Sequence, residues 1–286
     1  MRLRAMAKIN LGLDVLRKRE DGYHEVRMIM QTIQIYDLMD IRRKKEPGIS
    51  LSTNLPYIPT DERNLVYKAA KILMDEFQIT DGISMKLSKF IPVAAGMAGG
   101  SSDAAAAFVG VNRMFRLGLS EQDLMERAVQ VGADVPYCIM RGTALAEGIG
   151  EKLTRLPRMP LCYILVGKPG VNVSTKLAYE NLGLDTITSH PDIDGQIRCI
   201  EEGDLYGLTS RMENVFEPGI IRNYPVIQEI KDLMESAGAL KAMMSGSGPT
   251  VFGIFDNRQK TEAAAELLRK SHLARTVFAT TVYNKK

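Results

Sequence analysis

The residues with the clearest capacity for chemistry lie in a glycine-rich stretch, Pro92 to Ala107, which has the sequence PVAAGMAGGSSDAAAA. Its glycines and small side chains allow the backbone to approach a ligand closely. Ser, Asp and Ala then follow in the order expected for the capped start of a helix. Unpaired N–H groups and the helix dipole at such a start form an anion site, so a phosphate group is the expected ligand.

Neither of the common phosphate-loop patterns is present in this stretch. No lysine follows the glycines as in G-x-x-x-x-G-K-[ST], and the glycine spacing is not G-x-G-x-x-G. On the glycines alone, a loop that merely joins a strand to a packing helix is an equally good interpretation. A strand-like segment over residues 83–90 completes the strand–loop–helix order that a phosphate loop requires.

Two further pairs of side chains have the chemistry of a binding site. Lys8 and Asn10 lie two residues apart in a predicted strand, residues 2–16, so both point to one face of it. Tyr23 and His24 directly follow an Asp-Gly turn signal. On pattern alone, a half-exposed strand face and a surface aromatic pair are the ordinary interpretations of these residues.

One aspartate, Asp134, lies in a short constrained segment after a predicted helix, residues 120–131. Gly132 suits the end of that helix, while Pro136 is expected to block its continuation and to favour an extended Val135. An aspartate in such a turn most often caps the local backbone. A catalytic carboxylate is the alternative interpretation.

The elements that position these residues follow from hydrophobic periodicity and turn signals. Ser120, followed by Asp123, predicts a capped helix start. Two prolines within residues 156–160 mark a predicted boundary between domains 1–157 and 158–286. The other elements predicted before this boundary are a strand over 28–40 and an amphipathic helix over 61–78.

The second predicted domain has the element order βαββαβ, which is the ferredoxin-like order. Its predicted elements are a strand over 161–166, helical segments over 174–236, strands over 239–244 and 250–255, a helix over 258–271 and a strand over 275–283. The two middle strands are joined by a second glycine-containing loop, residues 245–250. This loop is interpreted equally well as an anion-binding nest or as a hairpin turn that needs glycine for its backbone.

Composition excludes several classes of protein. A composition of 45% hydrophobic and 25% charged residues, with a net charge of +3, is ordinary for a soluble globular protein. The length of 286 residues is large enough for two domains. The basic run at residues 42–45 is interpreted as a solvated strand end, not a nucleic-acid patch. Three distant cysteines favour a reducing compartment, and the absence of a signal-like or long apolar run predicts a cytoplasmic protein.

Three stretches together resemble the signature motifs of the GHMP small-molecule kinase superfamily. They are AKINL at residues 7–11, the PVAAGMAGGSSDAAAA loop, and MSGSGPT at residues 244–250. Met97 stands where the superfamily usually has leucine, a side chain of similar size. The resemblance covers nearly the whole chain. It implies an α+β, two-domain GHMP kinase fold, with a ribosomal-protein-S5-domain-2-like N-terminal domain and a ferredoxin-like C-terminal domain.

The resemblance also implies roles for individual residues. Lys8 matches the catalytic lysine and Asp134 the catalytic aspartate, while Asn10 resembles a residue that positions the substrate. The implied ATP-phosphate loop comprises Pro92, Val93, Ala94, Ala95, Gly96, Met97, Ala98, Gly99, Gly100, Ser101 and Ser102. The implied nucleobase contacts are Tyr23 and His24 on one side and Thr175 and Tyr179 on the other.

Within this superfamily the chain most closely resembles the kinases of one activity, on the stretches AKINLGLDVLRKREDGYHEV, GADVP, GTALAEGIGE and MSGSGPTVF. The implied reaction transfers the γ-phosphoryl group of ATP to the 2-hydroxyl of a cytidine-diphosphate-linked sugar alcohol in the non-mevalonate isoprenoid pathway. Mg²⁺ is expected to accompany ATP, with Ser102 and Asp103 as candidate ligands but no dedicated metal site. The expected partners are these small molecules only, without nucleic acid or membrane, and the expected state is a monomer or homodimer.

Two rival functions remain open at this point. A kinase of the same superfamily could act on a mevalonate derivative, homoserine or a sugar. A non-catalytic sensor could hold a nucleotide without turnover, although the presence of both Lys8 and Asp134 argues against it. A nucleic-acid-binding module is disfavoured because no basic stripe with interleaved aromatic residues is present.

Overall fold

The computed structural model describes residues 1–180, 182–184, 187 and 189–285. Residues 181, 185, 186 and 188 of the predicted helical segment 174–236 therefore lie outside the described residues. Contacts between residues divide the chain into two compact units. The first unit comprises Met1–Ala7, Ile35–Val93 and Ala98–Met140, and the second comprises Lys8–Gln34, Ala94–Met97 and Arg141–Lys286. The boundary between residues 157 and 158 stays a prediction.

The helices and strands occur in runs along the chain, as is typical of an α+β fold. Up to residue 140 they are β1 (Arg2–Lys18), β2 (His24–Lys44), β3 (Ile49–Thr53), α1 (Leu65–Glu76), β4 (Gly82–Ser88), α2 (Gly99–Phe115), α3 (Glu121–Ala128) and α4 (Val135–Met140). The remaining elements are β5 (Thr143–Gly148), β6 (Lys152–Arg155), β7 (Tyr163–Lys168), α5 (Thr175–Glu180), α6 (Ile193–Glu202), α7 (Leu205–Ser210), α8 (Glu217–Asn223), α9 (Val226–Ser236), β8 (Lys241–Met244), β9 (Val251–Phe255), α10 (Arg258–Ser271) and β10 (Thr276–Thr281).

The first unit packs helices on a small sheet. Within it, β4 pairs antiparallel with the second half of β2 and parallel with β3. Helix α1 begins after Asn64, whose side chain accepts a hydrogen bond from the backbone N–H of Val66. Helix α2 packs against α1 and α4, and its alanine run, residues 104–107, is buried. Small side chains on α2 allow this close packing of helices.

The start of α2 differs from the sequence prediction. The helix begins at Gly99, after Ala98 in a left-handed conformation with φ 54° and without a side-chain cap. Ser101, Ser102 and Asp103 therefore lie inside the first turns of the helix and do not cap it, because the left-handed residue turns the chain into the helix earlier. The extended conformation predicted for Val135 is also wrong, because α4 begins there with Pro136 in its first turn, a position that proline favours.

The second unit contains a four-stranded antiparallel sheet in the order β10-β7-β9-β8. In this order the first and third strands of the βαββαβ motif are central, so the ferredoxin-like prediction is confirmed. Strand β9 is buried along its full length, and α9 and α10 both pack against it. In the same unit, β5 pairs antiparallel with the first half of β2 and with β6.

The basic run at residues 42–45 lies at the end of β2 and beyond it. Its side chains are exposed or half-buried, as expected for a solvated strand end. Within the described part of the chain, no helix combines the length and the apolar character needed to cross a membrane.

The capping box of α3 yields a stability prediction. The Ser120 side chain accepts a hydrogen bond from the backbone N–H of Asp123, and the Asp123 carboxylate accepts one from the backbone N–H of Ser120. Ser120→Ala removes one acceptor and is expected to lower the free energy of unfolding by about 1 kcal/mol. Ser120→Asn retains a capping oxygen and is expected to lie close to wild type in urea denaturation. Equal losses in the two variants would contradict this role of the cap.

Candidate active site

Lys8 and Asn10 form a buried polar pair on β1, within the second unit. Lys8 is only 5% exposed, and its Nζ donates a 2.7 Å hydrogen bond to Oδ1 of the fully buried Asn10. The Asn10 amide nitrogen in turn lies 3.2 Å from the sulfur of Met28. The half-exposed strand face considered from the sequence pattern is therefore wrong. A buried ammonium and amide that share one strand face are suited to orienting a polar ligand rather than to solvation.

The glycine-rich loop is attached to this strand through its backbone. The Lys8 backbone N–H donates a 3.2 Å hydrogen bond to the carbonyl of Met97. Ala94 and Ala98 adopt left-handed conformations with φ of 51° and 54°, which disfavour any side chain beyond glycine. Strained backbone of this kind persists only where the surroundings hold it, and it clusters at ligand sites. The loop therefore has a defined backbone conformation held by its surroundings.

The two glycine loops approach each other closely at Gly96. This residue has a φ of 71°, and a Cβ added there would lie 2.1 Å from the carbonyl oxygen of Ser245. The Ser245 hydroxyl also donates a 2.9 Å hydrogen bond to the Gly96 carbonyl. Gly246 approaches from the other loop, since its Cβ position lies 3.5 Å from Oδ1 of Asn10. Glycine at position 96 permits this approach, and residues 245–250 also join the antiparallel strands β8 and β9. The anion-binding nest at this loop stays a prediction.

Asn214, which sequence reasoning missed, holds the second loop in place. Its buried side-chain amide donates 2.8 Å hydrogen bonds to the carbonyls of Met244 and Gly246. Its Oδ1 accepts a 3.0 Å hydrogen bond from the backbone N–H of Phe216. The same asparagine therefore connects the loop to an aromatic cluster.

The aromatic cluster contains three rings of the second unit. His24 stacks on Tyr179 with ring centroids 4.7 Å apart and an interplanar angle of 28°. Phe216 meets Tyr179 edge-on, with ring centroids 4.8 Å apart and an interplanar angle of 80°. Thr175, one helical turn before Tyr179 on α5, shares a 3.0 Å hydrogen bond with the hydroxyl of Ser247 in the second loop. Tyr23 lies beside His24 in the chain and is 60% exposed.

The structure thus connects most of the predicted substrate-side residues. A continuous set of contacts within one unit runs from Lys8 and Asn10, through the two loops and Asn214, to Tyr179 and His24. Phe216 belongs to this cluster and was not predicted, because it lies far along the chain from Tyr179 and has no motif around it. The pKa of His24 is lowered by burial and by the charge of Lys18, which favours the neutral ring.

The predicted phosphate-loop residues outside 94–97, and the predicted catalytic aspartate, lie in the first unit. Pro92 and Val93 end one of its segments, and Ala98 to Ser102 lead into and form the first turn of α2. Asp134 immediately precedes α4, where its carbonyl accepts a 3.1 Å hydrogen bond from the backbone N–H of Cys138. The Ser102 hydroxyl donates to the carbonyl of Met6. This serine side chain therefore already has a protein partner.

The contact at Gly96 yields a second prediction. Gly96→Ala requires a left-handed alanine, which costs about 1–2 kcal/mol, and adds a clash with the Ser245 carbonyl. We expect a clear loss in the free energy of unfolding, measured by chemical denaturation. Gly100→Ala is the matched control, because Gly100 is helical and its nearest contact would be Leu65 at 3.6 Å. Similar stabilities for the two variants would refute the close approach of the loops.

Comparison with known proteins gives consistent matches along the whole chain. A model of the GHMP kinases N terminal domain matches residues 64–142, and a model of the GHMP kinases C terminal matches residues 188–273. The 4-diphosphocytidyl-2-C-methyl-D-erythritol kinase of Lachnospira eligens is 55% identical over 99% of this chain and 98% of that protein. The protein of the same name from Lachnoclostridium phytofermentans is 53% identical over 99% and 98%.

Solved structures extend these similarities. The crystal structure of a 4-(cytidine 5'-diphospho)-2C-methyl-D-erythritol kinase matches with a TM-score of 0.85 at 29% identity, covering 100% of both chains. A homoserine kinase from Cytophaga hutchinsonii matches with a TM-score of 0.77 over 96% of this chain and 93% of that chain. At 19% identity, the second match shows a likeness of fold alone. The chain belongs to the GHMP kinase family.

Proposed function

We propose that this chain is an ATP-dependent kinase that phosphorylates the 2-hydroxyl of 4-(cytidine 5'-diphospho)-2-C-methyl-D-erythritol, in the non-mevalonate isoprenoid pathway. Support comes from the full-length relatives that carry the name of this kinase. The observation that carries the substrate choice is the stack of His24 on Tyr179, connected by contacts to the buried Lys8. An aromatic surface of this kind suits a pyrimidine base, which homoserine and mevalonate lack.

The glycine loop fits the phosphates of ATP. The crowded backbone at Gly96 leaves no room for a Cβ, and α2 begins directly after the left-handed Ala98. Unpaired N–H groups of the first helical turn, together with the helix dipole, favour an anion at this point. We assign the ATP phosphates to residues Pro92 to Ser102 on this basis.

Lys8 and Asp134 are the proposed catalytic residues. Phosphoryl transfer passes through a loose transition state whose charge is spread over the transferring oxygens, so placed positive charge contributes strongly. The buried ammonium of Lys8 can stabilise this charge, and Asn10, its hydrogen-bond partner, can orient the acceptor alcohol. The carboxylate of Asp134 would accept the proton of the 2-hydroxyl as the oxygen attacks the γ-phosphorus.

The cytidine end of the substrate is assigned to the aromatic cluster. Stacking of a base on an aromatic ring contributes about 1–3 kcal/mol. Because the neutral form of His24 is favoured, its ring offers one donor and one acceptor nitrogen to the edge of the base. Thr175 and Tyr179 on α5, and the exposed Tyr23, complete this proposed contact surface.

Mg²⁺ would enter with ATP, because this ion is commonly held by substrate phosphates and one or two carboxylates. Within the described residues, no group of three or more histidine, cysteine or acidic side chains is arranged to hold a metal. Ser102 donates to a backbone carbonyl and Asp103 is paired with Lys89, so neither is assigned to the ion here. A cytoplasmic location and a monomeric or homodimeric state remain part of the proposal.

The direct test is phosphoryl transfer from radiolabelled ATP to a panel of alcohols. The panel contains the cytidine-linked substrate, mevalonate, homoserine and a hexose. Efficient transfer to the cytidine-linked alcohol alone would support the proposal. Preferred transfer to another alcohol would replace the substrate assignment, and ATP binding without transfer to any of them would favour a nucleotide sensor.

Replacing the proposed catalytic side chains tests their roles. Asp134→Asn removes the proposed base and is expected to lower kcat about 10²–10⁴-fold. Lys8→Met removes the ammonium and is expected to cost at least about 10²-fold. Steady-state kinetics at saturating substrates, with circular dichroism to verify folding, measures both effects. A folded variant of either kind with kcat within a factor of ten of wild type would remove that residue from the mechanism.

The nucleobase assignment predicts a selective change in binding. Tyr179→Ala removes the ring that contacts both His24 and Phe216 and is expected to raise KM for the cytidine substrate about 5- to 150-fold, since stacking contributes about 1–3 kcal/mol. KM for ATP is expected to stay within twofold. Tyr179→Phe retains the ring and serves as the control. A parallel increase in both KM values for Tyr179→Ala would argue against base stacking.

A further inference from the structure

A buried ionic cluster in the first unit has no part in the chemistry proposed above. It consists of Asp37 on β2, Lys89 directly after β4, and Asp103 in α2. These residues are 0%, 7% and 2% exposed, respectively. The Lys89 ammonium bonds to the Asp37 carboxylate and lies 2.6 Å from Oδ2 of Asp103. The two sides of the glycine loop are therefore connected to each other by one lysine.

The cluster also fixes the chain where it enters the loop. The second oxygen of Asp37 accepts hydrogen bonds from the backbone N–H groups of Phe90 and Ile91, the latter at 2.8 Å. Asn54 pairs with the backbone of Lys89 in both directions, donating to its carbonyl at 3.2 Å and accepting from its N–H at 2.8 Å. Residues 89–91 therefore have little freedom before the loop begins.

The Lys89 ammonium also lies against the first residue of α2. A Cβ added to Gly99 would be 3.2 Å from Nζ of Lys89. A cation at the N-terminus of a helix is unfavourable in isolation, because that end already carries positive potential. Asp103 is the fifth residue of α2. Its pairing with Lys89 offsets this unfavourable interaction and holds the ammonium at the helix start.

The cluster contains two carboxyl groups and one ammonium. Lys89 contacts both carboxyl groups, and Oδ1 of Asp103 has no hydrogen-bond partner among the described residues. Burial raises the pKa of Asp103 well above its ordinary value despite the attraction of Lys89, and the charge of Asp37 adds to this increase. Buried ion pairs of this kind are often less stabilising than apolar residues of similar volume. Stability alone is therefore a poor explanation for the cluster.

We propose that Asp37, Lys89 and Asp103 are positioning residues for the triphosphate of ATP. They would hold the loop entrance and the first turn of α2 in one geometry, so that the N–H groups converge on the phosphates without reorganisation. This inference rests on the proposed assignment of residues 92–102 to the ATP phosphates. It concerns the affinity for nucleotide and predicts no direct contact between these three side chains and the substrates.

Substitutions at Asp103 separate a positioning role from a structural one. Asp103→Ala breaks the connection between Lys89 and α2, removes the unpartnered oxygen and leaves a neutral Lys89–Asp37 pair, so the fold is expected to persist. Asp103→Asn keeps an oxygen that can accept from Lys89. Lys89→Met leaves two buried carboxylates without their cation, and Lys86→Met, on the exposed side of β4, is its matched control.

The measurement is the Kd of MgATP by titration calorimetry on the full chain without the alcohol, accompanied by melting temperature and both KM values. We expect Asp103→Ala to raise the Kd about three- to tenfold with KM for the cytidine substrate unchanged, and Asp103→Asn to recover most of that loss. Lys89→Met is expected to raise the Kd more than tenfold, and Lys86→Met to leave it unchanged.

Two results would overturn the inference. The first is a folded Asp103→Ala variant whose Kd for MgATP lies within twofold of wild type. The second is an equal weakening of nucleotide and alcohol binding together with a lower melting temperature, which indicates a structural role only. Wild-type protein that binds MgATP but transfers no phosphoryl group would refute the proposed function separately, because the comparison of the Asp103 variants needs binding alone.

Discussion

The close contact between two backbone loops at Gly96 is the constraint on which the site in the second unit depends. With the Ser245 carbonyl where a Cβ would lie, no other residue fits at position 96 without displacing a loop. The hydrogen bond from Ser245 to the Gly96 carbonyl and the one from the Lys8 N–H to Met97 then hold the same segment from two sides. Lys8 is held directly by one of these attachments, and Asn10 is its hydrogen-bond partner.

Both units use buried polar groups where apolar packing would be simpler. In the second unit the Lys8 ammonium is paired with an amide oxygen, and in the first the Lys89 ammonium is shared by two carboxylates. Such groups are costly to remove from water. They stabilise a transition state most when they hold a preorganised charge at the reacting centre. In our proposal Lys8 meets the transferring phosphoryl group, whereas Lys89 acts indirectly by holding the backbone that receives the triphosphate.

Local patterns in the sequence predicted much of the fold, and distant contacts account for what was missed. The capped start of α3 and the βαββαβ order follow from short-range signals and were confirmed. The start of α2 was misplaced because a left-handed alanine has no signature in the sequence. Family motifs indicated Lys8, His24 and Tyr179, but Asn214 and Phe216 join the site only through contacts across the fold, which no spacing rule reveals.

A crystal structure with a non-hydrolysable ATP analogue, Mg²⁺ and the cytidine-linked alcohol tests the central claim most directly. We expect the phosphates on the backbone of residues 92–102, the pyrimidine against Tyr179, and the Lys8 ammonium at the γ-phosphate. The Asp134 carboxylate should lie within about 2.6–3.2 Å of the acceptor hydroxyl, the distance that proton transfer requires. A triphosphate bound away from this loop, or an Asp134 carboxylate beyond reach of the hydroxyl, would contradict the account.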